Sequence, residues 1–193
     1  MKKRREYMDE DHHPVMTKYY EILDSDISDA KLLSEMISLI SEDPYFFDPY
    51  TIAYELYLDK DKEQEANRIL DAGYNLALKR ILDKEGNFPD SLQWSWLENR
   101  HIIRVILKKG IMLWQTENTK NALTIFRNLF RSNPNDNAGV RYYILAVLEG
   151  LSFDTYESLY ENEGYLSDDI FAWFDEGRKK YSTEFQALDE LDW

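Results

Sequence analysis

Between Gly110 and Tyr143 apolar residues return at steps of three and four, and two clusters of turn residues cut the run. Gly110, Leu113 and Trp114 share one segment, and Ala122, Phe126 and Leu129 share the next. Asn133–Asn137, with Pro134 inside it, ends the second, and Asn137 to Tyr143 opens a third. A period near 3.6 cannot lie on a sheet, whose faces repeat every second residue. The stretch therefore reads as helix, tight turn, helix, turn, helix. Only 7 glycines and 5 prolines occur in 193 residues, too little punctuation for a sandwich or barrel of many short strands. Hydrophobic residues at 44% and charged residues at 31% describe a globular chain long enough to bury a sizeable core.

The same period runs through the rest of the chain. Pro14 suits a first helical turn, and Val15, Met16, Tyr19, Tyr20 and Leu23 follow on one face. Ser28 or Asp29 caps a second helix with Leu32, Leu33, Met36, Ile37 and Ile40 as its stripe, stopped at Asp43–Pro44. A third helix is predicted over Asp48–Leu58 and a fourth over Lys62–Asp83, with Gly86 placed for a left-handed turn after it. The fifth, from near Ser91 to Thr116, is the most apolar. A sixth covers Lys120–Ser132 behind Asn118–Thr119, a seventh about Asn137–Leu151 and an eighth Asp154–Asn162, broken at Glu163–Gly164–Tyr165. A ninth covers Asp169–Lys180, capped by Asp168, and a short tenth Thr183–Leu191. Residues 1–13 are charged and lack apolar period, so they read as a loose tail, with residues 14–193 one helical domain.

Gly110, Leu113, Ala122, Phe126 and Pro134 together resemble one unit of the tetratricopeptide family, whose helix–turn–helix repeat is about 34 residues long. The register continues upstream. Tyr50, Ala53, Tyr57, Ala66, Leu70 and Gly73 make a second copy, and Met16, Tyr19, Leu23, Leu32, Met36 and Pro44 a third. Units are placed at 13–46, 47–80 and 103–136, a degenerate one at 137–170, and a capping segment at 165–193. Asn133–Tyr142 is also similar to a piece of bacterial helical-repeat proteins and of the suppressor-of-tumorigenicity-seven family. The resemblance implies an all-α, α-α superhelix with C-terminal capping helices. It also implies a concave groove lined by the first helix of each unit. In this chain that groove would carry Arg104, Leu107, Ile111, Trp114, Arg141 and Leu145, with Thr17, Glu21, Thr51 and Glu55 further along.

Charge is segregated along the chain. From Arg100 to Arg141 there are eight basic residues and two acids, whereas from Leu151 onward twelve acids face three bases. Either the acidic helices pair with the basic face, or both are solvated, or the basic groove takes an acidic peptide or a free carboxylate, gripped by arginine forks with Trp114 as apolar anchor. The net charge of −14 argues against general binding to nucleic acid or an anionic membrane, because phosphates repel it. No cysteine is present, so disulfides, thiolate nucleophiles and cysteine–zinc sites are excluded. No run of apolar residues is long enough for a membrane span, and an acidic stretch follows Lys2–Arg5 where a signal peptide needs an apolar one.

Phosphate-cradling glycine loops and a nucleophile elbow are missing. Asp9, Glu10, Asp11, His12 and His13 carry metal-ligating types, but adjacent histidines on a loose tail lack preset geometry, so no metal is expected. His101, on an apolar helix, reads as a packed core histidine. The expected function is therefore non-catalytic: a cytoplasmic module that holds a peptide segment of a partner protein, without a cofactor. The alternatives are a small-ligand protein or enzyme using carboxylates of the acidic C-terminal half, and a structural homo-oligomer built on the aromatic C-terminal helices, which is allowed but not predicted.

Overall fold

The structure is a computed structural model that describes residues 4–162 and 165–189. The described residues form ten helices: α1 (His13–Leu23), α2 (Asp29–Glu42), α3 (Asp48–Leu58), α4 (Glu63–Ile81), α5 (Leu97–Gln115), α6 (Thr119–Ser132), α7 (Val140–Leu148), α8 (Phe153–Tyr160), α9 (Asp169–Lys180) and α10 (Gln186–Asp189). A two-residue antiparallel pair, β1 (Glu161–Asn162) with β2 (Tyr165–Leu166), follows α8. The break predicted at Glu163–Gly164 and the end of the last helix beyond Asp189 lie outside the described residues. The fold is all-α, and neighbours in sequence pack on one another: α1 on α2, α2 on α3, α3 on α4, and α6 on α7. Among the described residues no helix is long and apolar enough to cross a membrane. The chain divides into two compact units, residues 1–109 and 110–193, and the division falls within α5.

In the first unit, the helices begin and end where local chemistry directs. Proline occupies the first turn of α1 and of α3, and the Ser28 hydroxyl accepts the Lys31 N–H at the start of α2. Gly86 takes the left-handed conformation (φ +82°) in the turn after α4. The core joins Val15 and Tyr19 of α1, Met36 and Leu39 of α2, Phe46, and Ala53 of α3. Gly73 of α4 presses so closely on Tyr50 of α3 that an added Cβ would meet the ring carbon at 2.8 Å.

Two expectations are corrected here. The N-terminal stretch is not a loose tail: from Arg4 onward it is stitched into the first unit. The Arg5 N–H donates to Asp90 Oδ2 (2.8 Å), and the Tyr7 N–H donates to the Ser91 carbonyl (2.9 Å). The Arg5 guanidinium donates to the carbonyls of Ile81 (2.8 Å) and Asn87 (2.7 Å), satisfying an acceptor at the end of α4 that the helix cannot satisfy itself. The fifth helix starts at Leu97 rather than near Ser91, because Ser91 is engaged in a parallel bridge with Glu6. Asn99, fully buried, fastens both strands of this arrangement: its amide donates to the carbonyls of Tyr7 (3.0 Å) and Gln93 (3.2 Å), and its oxygen accepts the Asp9 N–H (3.1 Å).

In the second unit, Gly110 of α5 lies against Phe126 of α6, where an added Cβ would meet the ring at 2.5 Å. Phe126, Leu129, Ile144, Leu145, Tyr156, Ile170, Phe174 and Phe185 are buried in this unit. The start of α7 is held by Asp136, whose two oxygens accept the N–H groups of Val140 (2.8 Å) and Arg141 (2.9 Å).

Candidate functional site

Within each unit the expected groove residues have their own partners. In the first, Arg104 grips Asp48 with both arms, Nε to Oδ1 at 2.7 Å and a terminal nitrogen to Oδ2 at 2.5 Å. Burial pulls the Arg104 pKa down and Asp48 outweighs it, so the guanidinium is held above its ordinary value. Leu107, on the same helix, is partly buried. In the second unit Ile111 is partly buried, but Trp114 is only 2% exposed. The Trp114 ring is surrounded by Phe126, Tyr143, Phe153 and Tyr156, and its indole N–H donates to the Leu151 carbonyl (2.9 Å). Leu145 is fully buried and packs where Gly177 leaves room for it. Arg141 lies over the Tyr142 ring and donates to the Tyr142 hydroxyl (3.1 Å), with its Nε 3.8 Å from Asp136. Trp114 and Leu145 are thus core side chains and offer no open apolar surface.

Three other cations of the segregated basic stretch are engaged in the same way. Lys108 pairs with Glu55 and Lys109 with Asp71 in the first unit, and Arg127 forks onto Glu184 in the second. Only the last of these draws on the acidic C-terminal helices.

An open cleft of about 410 Å³ lies in the first unit. Phe46 and Met16 line it together with Tyr20 and Leu97, which remain 48% and 59% exposed. Asp11, Glu98, Arg100 and Arg104 add charge to its wall. Arg100 is held in place by its Nε on the Trp94 carbonyl (3.0 Å), with the guanidinium over the Trp94 ring. A wider and shallower depression runs along Arg4–Glu6, Asp83 and Asn87–Asp90, but its polar groups are largely spent on the contacts that dock the N-terminal segment.

His12 and His101 also line the cleft, and they converge on Asp9 behind it. Asp9 is 4% exposed and ringed by donors. Its Oδ1 accepts from Arg80 Nε (2.7 Å) and the Tyr7 hydroxyl (2.9 Å), and its Oδ2 lies 3.3 Å from both His12 Nε2 and His101 Nε2. His12 Nδ1 sits 2.5 Å from Asp43 Oδ2, so that ring is placed between two carboxylates. Burial pushes the Asp9 carboxyl up, but His101, His12, Arg80 and Tyr7 hold it well below the usual range, and Asp9 is ionised. Burial disfavours the His12 cation, yet Asp9 and Asp43 overcome that and hold its pKa above the ordinary value. The Tyr7 hydroxyl is pushed up by burial and by the Asp9 charge, so it stays a donor.

His101 differs from His12. Its Nδ1 accepts the Phe47 N–H (3.1 Å), which places the ring proton on Nε2. That Nε2 is buried, and its approach to Asp9 is not aligned as a hydrogen bond. The reading of His101 as a buried histidine agrees with its 3% exposure. What sequence reasoning missed is its company. Asp9 and His12 were assigned to a tail, and nothing local to either shows that they fold onto a helix some ninety residues away. The one available signal was the pairing of an acid with a histidine three residues later, a spacing that lets both face one point.

No family model, no curated protein and no solved structure matches the chain.

Proposed function

We propose that this protein is a non-catalytic interaction module of the tetratricopeptide kind, and that it holds a peptide segment of a partner protein in the cleft of its first unit. The observation that carries this reading is the cleft itself: two large, solvent-exposed apolar side chains, Tyr20 and Leu97, stand at a concavity with an apolar wall of Phe46 and Met16. Exposed apolar side chains gathered at a concave site are the usual mark of recognition. The repeat assignment is supported by the close small-to-large contacts at the expected positions, Gly73 on Tyr50 in the unit 47–80 and Gly110 on Phe126 in the unit 103–136.

The partner's chemistry follows from the wall. Arg104 is committed to Asp48, whereas Arg100, Asp11 and Glu98 make no salt bridge among the described residues. That mixture fits a segment with an apolar or aromatic side chain flanked by charges of both signs better than a run of acids. The aromatic anchor supplies most of the binding, and the charges set register.

Selection of random linear peptides on the immobilised protein tests this. Peptides enriched on the wild type should carry an aromatic or large aliphatic residue, and should lose at least about tenfold in affinity on Leu97→Asp or Tyr20→Asp, surface changes that leave the core untouched. Absence of any enriched class, or binding indifferent to both substitutions, would contradict the proposal.

A further inference from the structure

Asp9, His12 and His101 each offer one ligand atom, and the three atoms lie within 4.8 Å of one another. Two ligand atoms bound to one tetrahedral ion at about 2.0–2.1 Å stand roughly 3.3 Å apart. The distances from Asp9 Oδ2 to His12 Nε2 and to His101 Nε2 are both 3.3 Å. The two oxygens of Asp9 are also divided in use. Arg80 and Tyr7 occupy Oδ1, and both imidazoles face Oδ2. Finally, among the described residues His101 Nε2 is a buried polar atom with no aligned hydrogen bond, 3.3 Å from Asp9 Oδ2, and such an atom calls for a reason.

We propose that Asp9 Oδ2, His12 Nε2 and His101 Nε2 form a three-ligand site for a zinc-class divalent cation, with the fourth position taken by water. Two imidazoles and one carboxylate suit zinc and its neighbours in the first transition row rather than calcium or magnesium, which prefer shells of oxygen. Asp43 serves as the outer partner that orients His12. With Nδ1–H directed at the Asp43 carboxylate, Nε2 becomes the ligating nitrogen. His12 and His101 also form part of the cleft wall, so the cluster borders the open cleft.

The chemistry of loading is specific. The ion takes the place of the proton that His12 Nε2 presents to Asp9. For His101, ligation through Nε2 moves the ring proton to Nδ1, and the Phe47 N–H then loses its acceptor. Phe47 is therefore a reporter of the site although it ligates nothing.

The test uses the full chain, stripped with a chelator and titrated separately with Zn²⁺ and Co²⁺. The expected results are one ion per chain by elemental analysis after dialysis, and a visible absorption band of four-coordinate Co²⁺. Zinc should also shift the ring resonances of His12 and His101 and the amide of Phe47, with those of His13 unmoved. His13→Ala should bind as the wild type does, while His101→Ala and Asp9→Asn should bind about tenfold or more weakly. If either ligand variant fails to fold, the wild-type stoichiometry and resonance shifts still decide. Binding well below one ion per chain, or shifts at His13 with the Phe47 amide fixed, would overturn the proposal.

Discussion

Asp136 shows how one residue's environment becomes a property of the whole protein. Burial pushes its carboxyl up to about 7, against the pull of the Arg141 and Val140 N–H groups and of the Arg141 guanidinium. In the unfolded chain the same group titrates near 3.8. Between those values the folded protein holds a proton that the unfolded chain does not, so stability falls as pH rises from about 4 to about 7, by roughly 1.4 kcal/mol per pH unit, and levels off above. Asp136→Asn cannot ionise and lacks this slope. In urea melts from pH 5 to pH 8 the wild type should lose on the order of 2–3 kcal/mol relative to the variant, and parallel curves would show that the carboxyl is ionised throughout. Little of this was visible in the sequence, where Asp136 read only as a turn residue between two helices. The same holds for Asp9 and His12: residue types announce what chemistry is available, but burial and partners decide it, and those come from residues far away in the chain.

The helices themselves were the most legible level. α3 and α9 begin and end where periodicity placed them, and Ser28 does cap α2, whereas Asp168 stands at the start of α9 without a side-chain capping bond. These signals are local, so they can be read locally. The misread element is the stretch 91–96, given to the fifth helix on apolar content, and the reason is non-local: its backbone pairs with residues 5–7. Helix contacts set by glycine give a prediction at this scale. Gly110→Ala places a Cβ 2.5 Å from the Phe126 ring, which is itself fully buried and has nowhere to move, and should cost about 1–3 kcal/mol in a denaturant melt despite alanine's better helix propensity. Gly177→Ala meets Leu145, which is equally buried, at its methyl carbons (2.6 and 2.9 Å) and at Cγ (3.2 Å), but that branched chain can change rotamer where the Phe126 ring is rigid, so the cost should be smaller. Equal effects would mean that the α5–α6 contact is not the tight one described.

For the molecule as a whole, the acidic total was a poor guide to where charge matters. Five of the eight cations in the basic stretch that suggested an acid-binding groove are paired, by Asp48, Glu55 and Asp71 in the first unit and by Glu184 and Asp136 in the second, while Arg100, Lys120 and Arg131 make no salt bridge among the described residues. Pairing of that kind depends on which helices come together and leaves no trace in composition. In the first unit an open cleft with apolar and charged walls lies next to a buried Asp–His–His cluster. The measurement that addresses this most directly is backbone resonance mapping of the labelled chain with a selected peptide. The expected result is saturable shifts confined to Asp11–Tyr20, Phe46–Asp48 and Leu97–Arg104. Shifts centred instead on residues of α6 to α9, or none on a peptide that demonstrably binds, would contradict it.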